Sequence, residues 1–296
     1  MQRLTFILVY PIILLISILP FSLLYFLSTI FYILVYHLVG YRKKVVRKNL
    51  KLTLPHLSPK ERQKIEKKFY LHFCDLFLEM IKTFTISKTA INKRFTFTNI
   101  ALLREFEAKN KSIILMCGHY ASYEWLISLN DFLNYKGYAI YKKINNTYFN
   151  KLALNIRSKY KTTLIDNREA YPIMSQNQKK GILGTYGFVA DQSPMLSKTM
   201  YWQHFMGIEV PVHVGAEILA KKLNMSLIYV NIEKVKRGHY QCTFIPLAEN
   251  PNTIPNYEIT NEYLKLVEKQ IYKNPEYYLW THKRWKHKDK KNTTPS

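Results

Sequence analysis

Lys111-Ser112-Ile113-Ile114-Leu115-Met116-Cys117-Gly118-His119-Tyr120-Ala121-Ser122-Tyr123-Glu124-Trp125 is the stretch from which the rest of the chain can be read. Its first half is a short, uninterrupted apolar run, the pattern of a strand buried on both faces. Gly118 ends the run, His119 follows at once, and from Ala121 to Leu133 the pattern turns helical. Strand, glycine, histidine and helix start make half of a βαβ unit, and open α/β sheets place their chemistry at the carboxyl ends of such strands. Residues five apart on one helix point about 140° apart. His119 and Glu124 can therefore pair only if His119 stays in the loop, where Glu124 could turn back and orient its imidazole as a general base. The bland alternative is a satisfied histidine at a helix start, because His-x4-Glu recurs often by chance. Cys117 closes a buried strand and does not read as a nucleophile. With no protein nucleophile in view, the pattern points to direct attack by a substrate hydroxyl.

Outward from this stretch the alternation continues. Arg94–Asn99, Gly137–Tyr141, Thr163–Asp166, Gly181–Ala190, Met225–Ile232 and Tyr240–Ile245 read as extended. Leu57–Phe84, Ile100–Lys109, Thr147–Tyr160, Val214–Leu223 and Asn261–Lys273 read as helical. Ser58-Pro59-Lys60-Glu61 is a capping box with proline at the first helical position. The predicted fold class is α/β, a mixed or largely parallel sheet flanked by helices.

The amino-terminal region is different in kind. Leu4 to Tyr41 contains no Asp, Glu, Lys or Arg. That exceeds the roughly 20 apolar residues a membrane span needs, and it is too long for the apolar core of a signal peptide. Pro11 and Pro20 lie in its first half, so a tilted helix, a helix running into the interface and a tight re-entrant pair all remain open. Tyr41 to Lys51 carries six basic residues, whereas only Arg3 and the terminal amine precede the apolar run. The positive-inside rule then puts everything after Tyr41 in the cytoplasm. The expected organisation is a membrane anchor over 1–41, containing an amino-terminal transmembrane helix, and a cytoplasmic domain over 42–296. Lys and Arg number 44 against 20 Asp and Glu, a net charge of +24. Such a charge speaks of acidic partners, not of fold. The 15% aromatic content and 23 tyrosines fit a membrane interface better than a nucleic-acid arm. Cys74, Cys117 and Cys242 are too few and too scattered for a disulfide framework.

Gly118-His119-Tyr120-Ala121-Ser122-Tyr123-Glu124-Trp125 resembles the His-x4-Asp/Glu block of the lysophospholipid acyltransferase superfamily, and more closely that of the lipid A biosynthesis (late) acyltransferases. Further blocks follow in order. Tyr141 to Asn146 and then Arg157-Ser158-Lys159-Tyr160 look like the family's second block with its arginine. Ala190-Asp191-Gln192-Ser193-Pro194 looks like its Asp-Gln block, Gly215-Ala216-Glu217-Ile218-Leu219-Ala220 like its small-residue helix, and Trp280-Thr281-His282-Lys283-Arg284-Trp285-Lys286 like its terminus. The chain departs from plain glycerolipid acyltransferases in having Gly-His for Asn-His and no Pro-Glu-Gly-Thr block.

The resemblance implies a glycerolipid-acyltransferase-like fold at a bacterial inner membrane, with the catalytic domain on the cytoplasmic side. It implies transfer of a fatty acyl chain from an acyl thioester, on acyl carrier protein or coenzyme A, to a hydroxyl of a lipid A precursor. His119 would be the base and Glu124 its orienting group. Arg157 would bind phosphate or position a substrate. Asp191 would be a second acid near the site or a turn cap. Gln192, Trp280, His282 and Arg284 complete the expected substrate-binding set. No cofactor is implied. His204, His213 and Asp191 match no metal-ligand spacing. The expected partners are the acyl donor, a glycolipid acceptor and an anionic membrane surface, not nucleic acid. Competing readings are an acyltransferase for another lipid, such as an aminolipid or lysophospholipid, and a non-catalytic, membrane-tethered basic binding protein.

Overall fold

The computed structural model describes residues 2–143 and 145–291. Ile144 of the second block and residues 292–296 of the basic tail lie outside the described residues. The elements in chain order begin with α1 (Gln2–Ile18), α2 (Phe21–Ile33), α3 (Lys43–Thr53), α4 (Pro59–Lys82), α5 (Lys88–Asn92), β1 (Phe95–Phe97) and α6 (Ile100–Glu107). Then come β2 (Ile113–Cys117), β3 (Lys136–Tyr141), α7 (Thr147–Ser158), β4 (Thr163–Asp166), α8 (Ala170–Lys179) and β5 (Gly184–Val189). The remainder is β6 (Trp202–Phe205), β7 (Ile208–Pro211), α9 (Gly215–Lys222), β8 (Ser226–Lys236), β9 (His239–Ala248) and α10 (Glu258–Lys273).

Seven strands form one sheet in the order β1-β9-β8-β2-β5-β3-β4. Every pairing is parallel except β8 with β9, whose hairpin turns at Arg237-Gly238. All five residues of β2 are buried, as a strand covered on both faces must be. β2 sits between β8 and β5, so the chain leaves the middle of the sheet at Gly118. β6 and β7 make a separate antiparallel hairpin from the aromatic stretch around Trp202.

Ser58 caps α4 as its sequence requires, with both bonds of the capping box to Glu61 in place. Two local expectations change. Ala121–Leu133 is not an α-helix: Tyr123–Asp131 winds as a tighter 3₁₀ helix after Ala121, which takes a left-handed φ of 49°. The run Tyr-Glu-Trp-Leu-Ile-Ser-Leu-Asn-Asp is poor in strong helix formers, and Trp125 pins it inward by donating to Glu79 O at 3.3 Å. The second change is α8, which lies in a stretch without clear periodicity.

The apolar run divides at Leu19-Pro20 into α1 and α2, and α2 continues as a π-helical turn over Leu34–Val39. Proline has no N–H to continue the first helix. Phe21–Val39 is 19 residues with a mean hydropathy of 1.8, long and apolar enough to cross a membrane. Leu24 of α2 packs with Leu78 and Ile81 of α4, so the apolar region is seated on the α/β body.

Candidate active site

Cys117 of β2 and Val189 of β5 are register partners in adjacent parallel strands. His119 and Asp191 each stand two residues beyond that pair, which brings them together. His119 Nδ1 lies 2.6 Å from Asp191 Oδ1, and the His119 backbone N–H donates to the same oxygen at 3.1 Å. The two strand ends are clamped by the buried Tyr263 of α10, whose hydroxyl donates to Cys117 O at 2.9 Å and accepts from Ala190 N–H at 3.3 Å. Gly118 permits this packing, since a Cβ there would stand 3.2 Å from Val267. Behind the loop, Leu279 N–H donates to His119 O at 3.1 Å and Ala121 N–H to Tyr277 O at 3.0 Å. His119 is thus fixed by backbone on both sides.

Asp191 is fully buried beneath the imidazole. Burial alone would raise its carboxyl, but the charge and hydrogen bonds of His119 outweigh burial and hold it below its ordinary value. An ionised Asp191 accepting from Nδ1–H fixes the tautomer and leaves Nε2 as the proton acceptor. His119 lines the cavity above. The neighbouring thiol of Cys117 is pushed up by burial, first of all, and by Asp191, which keeps it protonated.

Glu124 does not orient His119. Its carboxylate binds Arg157 of α7, whose Nη2 donates to Oε1 at 3.0 Å and to Oε2 at 2.9 Å. The geometric reason is Ala121: its left-handed turn and the 3₁₀ winding send Glu124 across the cavity mouth towards α7. This pair is wetter than the first, with side chains 28% and 23% exposed.

The cavity measures about 1620 Å³. Arg157, Gln192 and His282 line it with His119 and Glu124. Trp280 and Arg284 do not. Trp280 is buried with its Nε1–H on Pro275 O at 2.6 Å, and Arg284 is buried with Nη1 donating to Pro211 O at 3.0 Å. Their segment is the one that backs the His119 loop, so these residues support the wall from behind. His213, which sequence spacing did not mark as a site residue, also lines the cavity. Burial lowers its basicity, and burial pushes His282 down to about 4, so both present neutral imidazoles.

The cavity has two ends of opposite character. At the mouth, Lys142, Lys143, Arg168, Lys198 and Lys286 form a cationic rim. Inward, it runs down one face of the sheet. Leu115 pairs with Gly187, Cys117 with Val189, Ala139 with Gly187 and Gly137 with Thr185, so their side chains share that face. The step from Val189 to Thr185 is four residues, or about 13 Å. Its floor is mostly small residues, and Leu126, Ile127, Leu129 and Leu133 close over it. Asn130 stops the far end, where its amide occupies the space a Cβ on Gly137 would need.

The chain matches the family described as bacterial lipid A biosynthesis acyltransferase over residues 1–287. It is 23% identical over 276 residues to the lipid A biosynthesis palmitoleoyltransferase of Escherichia coli (strain K12), covering 90% of this chain and 86% of that protein. The lipid A biosynthesis acyltransferase of Shigella flexneri matches with the same identity and coverage. The lipid A biosynthesis lauroyltransferase of Escherichia coli (strain K12) is 24% identical over 248 residues, covering 83% of this chain and 79% of that protein. Sheet, site and a match along nearly the whole length agree: this chain is a membrane-associated lipid acyltransferase and belongs to the bacterial lipid A biosynthesis acyltransferase family of the lysophospholipid acyltransferase superfamily.

Proposed function

We propose that the chain moves a fatty acyl group from an acyl thioester on acyl carrier protein to a hydroxyl of a lipid A precursor, at the cytoplasmic face of a bacterial inner membrane. The observation that carries this reading is the His119–Asp191 pair, 2.6 Å apart, beneath a cavity with a cationic mouth and an apolar inner trough. The trough suits an acyl chain, and the rim suits the phosphates of a glycolipid or an acidic carrier protein. Residues 1–41 serve as the membrane anchor for the acyltransferase domain of 42–296.

In this scheme His119 Nε2 takes the proton from the acceptor hydroxyl. The oxygen attacks the thioester carbonyl carbon, forming the new C–O bond. The C–S bond breaks, and the departing thiolate receives the proton from the imidazolium. Asp191 stabilises that imidazolium and holds the ring in place. General-base help of this kind is worth about 10²–10⁴ in rate. Glu124 holds Arg157 at the mouth, where the guanidinium meets an anionic substrate group.

Mass spectra of lipid A test the reading, comparing cells that carry the intact gene with cells that carry only His119→Ala, at matched protein levels. Lipid A from the variant cells should lack one acyl chain. Unchanged lipid A would remove the proposed acceptor and direct the search to the rest of the lipid extract.

A further inference from the structure

A helix of 19 residues rises about 28 Å, close to the roughly 30 Å of a bilayer's hydrocarbon. By length alone Phe21–Val39 can cross. Its attachments say otherwise. The Tyr25 hydroxyl donates to Glu79 Oε1 at 2.8 Å, Ser28 to Asp75 Oδ1 at 2.7 Å, and the Tyr36 ring lies 5.2 Å from that of Tyr70. The Tyr70 hydroxyl then reaches Tyr41 O. Position rises along α2 as it falls along α4, so the two helices lie antiparallel over their whole shared length. At the β8–β9 turn, Arg237 donates to Tyr25 O at 3.1 Å and to Thr29 Oγ1 at 3.2 Å while it holds Asp75.

α1 is tied at both ends. Lys82 Nζ donates to the carbonyls of Ser17 and Leu19 at 2.7 and 2.8 Å. Near the other end, the Phe6 ring lies 5.4 Å from Tyr148 and 5.7 Å from Phe149, both on α7. If α2 stood across the bilayer, the last turns of α4 and the β8–β9 turn would be drawn into it. Buried Asp75 and Lys82 would then sit within the membrane, at a cost of several kcal/mol per charge.

We propose that this apolar region does not cross the bilayer: α1 and α2 lie lengthwise between the α/β body and the acyl chains of one leaflet, with Arg3 on the same side as His119. The face turned away from the body supports it, since Leu8, Leu15, Ile18, Leu23 and Phe26 are more than half exposed. Charge complementarity names the lipid. Arg42, Lys44, Lys48 and Lys51 follow directly and are exposed, which matches the headgroups of an anionic phospholipid leaflet. Thr147 on the cavity wall adjoins Tyr148, so the mouth borders this face.

The test needs no enzymatic turnover and so stands apart from the acyltransfer reading. The three native cysteines are buried, and Arg3, Pro20 at the α1–α2 turn and Asn252 are exposed. Arg3→Cys, Pro20→Cys and Asn252→Cys, each in the full chain, are treated with a membrane-impermeant maleimide in intact spheroplasts and in inverted membrane vesicles. Labelling of Arg3→Cys and Asn252→Cys in inverted vesicles, with no variant labelled in spheroplasts, is the expected result. Labelling of Arg3→Cys or Pro20→Cys in spheroplasts, with Asn252→Cys labelled only in inverted vesicles, would establish a crossing helix or a crossing pair and overturn the proposal.

Discussion

Two acid–base pairs face one cavity and have opposite surroundings. Asp191 is fully buried, takes both the ring and the backbone N–H of His119, and sits beneath the imidazole. Glu124 and Arg157 are each about a quarter exposed and stand at the mouth. A dry pair cannot exchange partners with solvent, so it fixes geometry and charge. A wet pair is screened and can give up one partner to an incoming anion. In the reaction proposed above, the first pair carries the chemistry and the second receives the substrate.

Asp191→Asn strikes the dry pair hardest. The amide can hold the wrong tautomer of His119, and kcat should fall by about 10³-fold or more with KM little changed. A drop below tenfold in single-turnover kinetics would break the distinction between the pairs.

Glu79 sharpens it from another side. It is buried like Asp191 but is ringed by hydroxyls of Tyr25, Ser122 and Tyr240 instead of a titrating base. Burial and then the charge of Asp75 raise its pKa to about 7. The folded state therefore holds a proton that the unfolded state releases. Stability from this group is greatest below about pH 4.5 and is lost as pH rises to about 7, by about 3 kcal/mol. The depressed carboxyl of Asp191 has the reverse sign, and its contribution goes only as pH falls below the usual carboxylate range. Glu79→Gln should flatten the slope of Tm against pH between 4.5 and 7 in detergent.

For the wet pair, Arg157→Lys and Glu124→Gln should each raise KM for the acceptor by about tenfold and change kcat far less. The double variant should be no worse than the worse single one, as expected of residues acting as a unit. A last effect lies deeper. Gly187 faces the trough, and a Cβ there meets only Tyr138 O at 3.6 Å. Gly187→Leu should fold and shift donor preference towards shorter chains by about tenfold, measured by competition between two thioesters.

Much of this was open to reading in the residues. The all-apolar run before Gly118 marked the central strand, and the capping box at Ser58 marked the start of α4. The place of His119 on the cavity wall was legible, because it follows a buried strand directly and so stands at that strand's carboxyl end. Its partner was not, because His119 and Asp191 are distant in sequence and meet only through the pairing of β2 with β5. A hint existed, since Ala190-Asp191 also closes a strand, but the nearer Glu124 drew the pairing to itself. The left-handed turn at Ala121 that turned Glu124 away has no sequence signature, for alanine seldom adopts that conformation. The burial of Trp280 and Arg284 was hidden for a related reason: basic and aromatic residues read alike on a wall and behind one.

The clasp on α2 also has a history in time. Arg237 and Tyr25 are 212 residues apart. At about 5–20 residues per second, a ribosome needs roughly 10 to 40 s to go from one to the other. For all of that interval the apolar helices exist without the turn that secures them, and Asp75 lacks its guanidinium. Gly238 then closes the clasp, with Tyr25 Oη filling the place its missing Cβ would take. The apolar segment therefore waits, unlatched, for one of the last strands of the sheet.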